Sequence, residues 1–97
     1  MKGPVRLGEL LRAYATRLGV RGALEEAEVL AAWQALYGSE RDVRAEAFRA
    51  GTLILAARNA AAAQEASLQR AAFQAELNRQ LGRALVRAIR VVQGTRD

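Results

Sequence analysis

A chain of 97 residues can build one hydrophobic core and is too short for two. With 52% hydrophobic residues, 26% charged residues and a single proline, it has the composition of a chain that folds. It contains neither cysteine nor histidine, which excludes disulfides, thiolate or imidazole zinc sites, Ser-His and Cys-His nucleophiles and a histidine proton shuttle. Its 15 Lys+Arg against 10 Asp+Glu leave a net charge of +5, a balance that suits a polyanionic partner without naming one.

Taken in chain order, the first element is a helix over residues 5–18. Leu7, Leu10, Leu11, Tyr14 and Leu18 recur there at helical spacing, and Gly19 follows where a left-handed cap would sit. The same stretch is no signal sequence, because Arg6, Glu9, Arg12 and Arg17 interrupt it, and no apolar run approaches the roughly 18 residues of a membrane span. A soluble, cytoplasmic protein without membrane contact is expected. Gly19-Val20-Arg21-Gly22 reads as a tight connector to a second helix over 23–37. That helix aligns Leu30, Trp33 and Tyr37 on one stripe, puts Glu25, Glu26 and Glu28 in its first turns, and ends at Gly38.

After Gly38 the period changes to two. Val43, Ala45 and Ala47 alternate with Arg44, Glu46 and Phe48, and the β-forming run Thr52-Leu53-Ile54-Leu55 follows. Arg49-Ala50-Gly51 between them fits a hairpin turn with a residue at positive φ, so the two strands are expected to be antiparallel. Asn59 is a good N-cap for a long third helix over 60–81, whose Ala66, Phe73, Leu77 and Leu81 share one side before Gly82 ends it. The β-branched run over 84–92 predicts a third strand, and 93–97 a frayed end. The expectation is a single α+β domain over 1–97, in the order helix, helix, strand, strand, helix, strand, whose three-stranded sheet is packed against helices on one face and open on the other.

Charge is unevenly distributed along the chain. Residues 1–22 hold five basic residues against Glu9, and residues 70–97 hold six arginines against Glu76 and Asp97. Residues 23–46 are instead acidic, with six carboxylates against Arg41 and Arg44. If the basic ends meet, Arg6, Arg12, Arg17, Arg21, Arg83, Arg87 and Arg90 are the candidates for phosphate contact; otherwise they solvate the exterior. Phe48 and Phe73 read as core side chains, so platforms for base stacking are few. Trp33 reads as a core anchor whose surroundings form a candidate contact surface for a protein partner. The Glu25, Glu26 and Glu28 carboxylates read as a solvated helix start, and the only lysine, Lys2, rules out a P-loop. No catalytic residue, cofactor or metal is expected, and no ATPase.

Several short motifs in this order resemble the DciA family of bacterial replicative-helicase loaders over about residues 32–92. They are Trp33-Gln34-Ala35-Leu36-Tyr37-Gly38, Gly51-Thr52-Leu53-Ile54-Leu55, Ala63-Gln64-Glu65, Leu77-Asn78, Leu81-Gly82 and Ile89-Arg90. The chain departs from the family where Ala62 replaces a second tryptophan and where the Ser/Thr-x-Pro-like segment just before the hairpin turn has no proline here. The resemblance implies a KH-like, non-enzymatic domain that binds the DnaB-type helicase and single- or double-stranded DNA. Gly19-Val20-Arg21-Gly22 also matches the G-x-x-G loop with which KH domains clamp a nucleic-acid backbone, although a helix cap followed by a turn explains the same glycines. Two alternatives stay open: a general KH-like nucleic-acid-binding protein for single-stranded DNA or RNA, and a structural interaction module that pairs with a copy of itself.

Overall fold

A computed structural model of the protein describes residues 19–94. The predicted first helix, and with it Arg6, Arg12 and Arg17, lies outside the described residues. The elements are α1 (Arg21–Tyr37), β1 (Val43–Arg49), β2 (Thr52–Ala57), α2 (Ala60–Leu68), α3 (Arg70–Leu81) and β3 (Ala88–Gln93). The strands lie in the order β1-β2-β3, with β1 antiparallel and β3 parallel to β2. A parallel neighbour requires a long crossover, and α2 with α3 supplies it. The result is the expected α+β architecture with a mixed sheet.

One core joins all the elements. Val29, Ala32 and Trp33 of α1, Ala66 of α2 and Leu77 of α3 pack on Val43, Phe48, Leu53, Leu55, Ala57 and Ile89 of the sheet. Leu53, Leu55 and Leu77 are fully buried. The α1 and α3 layers meet through an aromatic trio. Trp33 lies 4.5 Å from Tyr37, and Phe73 meets both rings edge-on at 5.1 Å, a geometry that matches ring quadrupoles. The Tyr37 hydroxyl donates to Glu76 across the same interface at 3.1 Å.

Local structure departs from the simple periodicities at four places. In β1 the register shifts between Ala45 and Ala47. The bulge at Glu46 turns Phe48 inward to 2% exposure, whereas strict alternation sets it opposite Val43. The long third helix is two helices. Gln69 (φ −103°, ψ 11°) donates its N–H to the Ala66 carbonyl at 3.0 Å, and α3 restarts when the Phe73 N–H takes the Gln69 carbonyl at 2.9 Å. The break lets Ala66 join the core while Phe73 meets Trp33 and Tyr37 of α1, and it leaves Leu68 exposed at the elbow. Helix propensity runs unbroken through this stretch, so only packing reveals the bend.

The third departure is the Gly19 to Gly22 connector. Gly22 lies inside α1, Gly19 and Val20 lead into it as helical turn, and neither glycine has positive φ. Neither the left-handed cap nor the G-x-x-G clamp is present there, and Leu68-Gln69-Arg70, which does join two successive helices, has no glycine. The fourth is the start of β3, at Ala88 instead of residue 84. Asn78 accounts for this delay. Its side chain accepts the Val86 N–H at 2.8 Å and donates to the Val86 carbonyl at 2.9 Å. Both backbone groups of a fully buried residue are thereby satisfied off the sheet.

The capping expectations agree with the structure. Asn59 accepts the Ala62 N–H at 2.8 Å, and Gly82 closes α3 at φ 77° with its N–H on Asn78 and Arg79. The hairpin loop is Ala50-Gly51, at φ 50° and 85°, because Arg49 already pairs with Thr52. Two residues at positive φ match the right-handed twist of the strands they join.

Candidate nucleic-acid interface

The hairpin end of the domain is assembled by contacts that the linear charge pattern conceals. Glu26 accepts the Phe48 N–H at 3.0 Å, so α1 covers part of the β1 edge with a carboxylate. Arg83, just after α3, grips Glu28 with both terminal nitrogens at 3.0 and 2.8 Å. The bidentate hydrogen bond, with the Arg83 charge behind it, holds the Glu28 carboxyl below its usual range. Two of the three glutamates read as a solvated helix start therefore fasten α1 to the rest of the fold. Arg83 is occupied by one of them.

Arg87 lies across the turn. Its backbone N–H donates to the Gly51 carbonyl at 2.8 Å, and a Cβ on Gly51 would meet its Nε at 2.6 Å. Glycine is required here for positive φ and for room under the guanidinium. Arg90 projects from the middle of β3. The pairing registers place Arg49, Thr52 and Ala88 in one row across the sheet, Ala47, Ile54 and Arg90 in the next, and Arg44, Ala56 and Val92 in a third. The side chains in these rows lie outside the core cluster; Arg49, Ala88, Arg90 and Arg44 are exposed, Ala47, Thr52, Ile54 and Val92 are half-buried, and Ala56 in the third row is buried at 1% exposure. Arg49, Arg87 and Arg90 are exposed and make no ion pair with another described residue. Arg44 is paired with the bulged Glu46 at 3.5 Å.

The structure thus places Arg87 at the turn and Arg90 farther along β3, ties Arg83 to Glu28, and leaves Arg21 exposed at the first residue of α1. Arg49 and Arg44 were not among the sequence candidates. The signal for Arg49 was available: a two-residue turn puts its flanking residue opposite Thr52, on the face that Phe48 leaves. The bulge at Glu46 had no such signal.

Trp33 is 3% exposed, so its ring belongs to the core. Beside it, Leu30, Tyr37, Val43 and Arg44 line a groove of about 350 Å³ between α1 and β1. Burial, more than the hydrogen bond to Glu76, pushes the Tyr37 phenol up to about 12. At the end of the sheet away from the hairpin, Glu40, Asp42 and Glu65 line a second groove of about 480 Å³. Arg58 is tied to Asp42 there at 3.2 Å, and Arg41 stands exposed nearby. Among the described residues, carboxylates and arginines thus stand side by side at this end, whereas Arg49, Arg87 and Arg90 have no described carboxylate partner. Among the described residues no helix is long and apolar enough to cross a membrane, and no cluster of three or more carboxylates is arranged to hold a metal.

A helix, a hairpin, two helices and a closing parallel strand around one mixed sheet define a KH-like α+β module, here with arginines rather than aromatic rings on its open face. The family model described as Dna[CI] antecedent, DciA matches residues 6–91, and the chain belongs to the DciA family. That family stands in DNA replication as helicase loaders and is not an enzyme class. No curated protein matches the chain closely enough to be set beside it.

Proposed function

We propose that the protein is a non-enzymatic adaptor in the cytoplasm that binds the DnaB-type replicative helicase and DNA and helps to place one upon the other. The observation that carries this reading is membership of the DciA family over residues 6–91. The position of the arginines with no described carboxylate partner supports it, because a polyanion drawn to Arg49, Arg87 and Arg90 leaves the groove lined by Glu40, Asp42 and Glu65 and the Trp33 groove open to a second partner. Arg6, Arg12, Arg17 and Arg21 add to the positive field on this reading, while Arg83 contributes little beyond its bond to Glu28. The helicase contact is assigned to the rim of the Trp33 groove, where Gln34 is exposed.

The test is a pull-down with the purified cognate helicase at low salt, with and without single-stranded DNA. Association in both conditions is expected, weakened by Gln34→Arg at the groove rim. No association at low salt rejects the adaptor role. Binding to nucleic acid without helicase returns the general KH-like nucleic-acid binder, and self-association in sedimentation without either partner returns the interaction module.

A further inference from the structure

We infer that the open face of the sheet is a track for a single-stranded nucleic-acid backbone, gripped at its phosphates by Arg49 and Arg90 from opposite edges and by Arg87 at the turn; this rests on the nucleic-acid arm of the proposed function. Arg49 stands on β1 in the first row and Arg90 on β3 in the second. A chain laid along β2 passes between their guanidinium groups. Three strands about 4.8 Å apart make a strip near 10 Å wide, enough for one strand and too narrow to seat a duplex.

The floor of the strip is Thr52, Ile54, Ala47 and Ala88, small or aliphatic side chains that let a sugar-phosphate backbone come close. Among the described residues, the charge at this site is not cancelled locally. Glu26 is engaged by the Phe48 N–H, Glu28 by Arg83 and Glu46 by Arg44, whereas Arg49, Arg87 and Arg90 have no described carboxylate partner. The connector that joins α2 to α3 lacks the paired glycines with which a KH loop admits a backbone, so the helical side offers no such cradle.

The described aromatic rings, Trp33, Tyr37, Phe48 and Phe73, all belong to the core or pack against it. The described residues therefore offer this face no ring for stacking, the usual source of base preference in single-strand binders, and affinity comes from counterion release. Binding on this track is indifferent to base identity and steeply dependent on salt.

The experiment uses the full chain and fluorescence anisotropy with labelled oligo-dT and oligo-dA over a series of salt concentrations. Arg49→Gln and Arg90→Gln are each expected to lower the slope of log K against log salt by roughly 0.7, and the double variant to lose on the order of tenfold in affinity. Arg70→Gln and Arg79→Gln on α3 are expected to leave both unchanged, as are thermal melts of all four variants, whose side chains are exposed. Equal affinities for the two oligonucleotides are also expected. Wild-type binding that survives the Arg49/Arg90 double variant and falls in the α3 variants overturns the track while leaving nucleic-acid binding intact. Tighter binding to a duplex of equal length, or equal competition by polyglutamate, overturns the choice of a single strand. No wild-type binding at low salt overturns the nucleic-acid reading itself.

Discussion

The two faces of β2 differ by one residue of register and by everything else. Leu53, Leu55 and Ala57 enter a core in which side-chain volume decides the outcome. Thr52 and Ile54 look the other way, onto a face bordered by Arg49 and Arg90, where charge does. The same six-residue strand therefore carries a stability problem and a recognition problem on alternate residues, and a substitution on one face is expected to leave the other property alone. The neighbouring strand shows how this separation is kept. A bulge at Glu46 brings Phe48 to the core and leaves Arg49 outside at the turn.

The largest expected effect is on the core face. Leu77→Ala removes a fully buried side chain from the contact between α3 and the sheet. It should destabilise the domain by about 3 kcal/mol in denaturant unfolding. At temperatures where the variant is folded, its affinity for oligonucleotide should match the wild type; a parallel loss of both would join the two faces that the register separates.

Next comes Asn78→Ala, which strips the buried Val86 backbone of a donor and an acceptor together. A loss of about 2 kcal/mol is expected. Asn78→Asp sharpens the assignment. It retains the acceptor for the Val86 N–H but sets a carboxylate oxygen against the Val86 carbonyl, so it should recover little of that loss near neutral pH.

The hairpin tip, where the two faces meet, should respond more mildly. Gly51→Ala places a side chain at φ 85° beneath Arg87 and should cost about 1–2 kcal/mol. Adding Arg87→Ala should relieve the steric part and leave the backbone part. Ala50→Gly, at φ 50°, should stabilise by less than about 1 kcal/mol.

The smallest effects are the pH dependences of the helical layer. The phenol of Tyr37 is raised from its usual value near 10 to about 12 in the fold, so the folded state holds that proton more tightly. Its contribution is complete below pH 10 and is lost as pH rises from about 10 to 12. Tyr37→Phe should flatten the alkaline limb of a stability profile over that interval. Glu28 has the opposite sign. Its folded carboxyl is depressed by Arg83, so its contribution is present above the ordinary glutamate range and is lost as pH falls through the lowered value. Glu28→Gln should flatten the acid limb, and a profile unchanged by that substitution would remove the Glu28–Arg83 pair from the account of stability.

Much of the fold was legible in the sequence. The Asn59 cap, the Gly82 terminus, the antiparallel hairpin and its turn are consequences of local chemistry, since each needs only a short side-chain reach or a backbone angle that glycine permits. The break at Gln69 was not legible, because Ala60 through Leu81 is dense in helix formers on both sides of it. The late start of β3 was hidden for a related reason: Leu85-Val86 has strand propensity, and Asn78 outbids the sheet for the Val86 backbone through a contact eight residues away. The site was legible in part. Arg87 and Arg90 were found by charge, Arg49 by neither charge nor period, and Arg83 was counted free because its partner lies 55 residues earlier in the chain.

By itself the sequence determined the element types, the α+β class, the missing reactive groups and the family likeness, because propensity, caps and composition act over a few residues at a time. Only tertiary structure decided which of the described arginines are tied to carboxylates, that a bulge is what delivers Phe48 to the core it was read to join, and which residues share a row across the sheet. Those are outcomes of competition among residues far apart in the chain, settled when a bulge, a bent helix pair and one buried asparagine bring them within bonding distance.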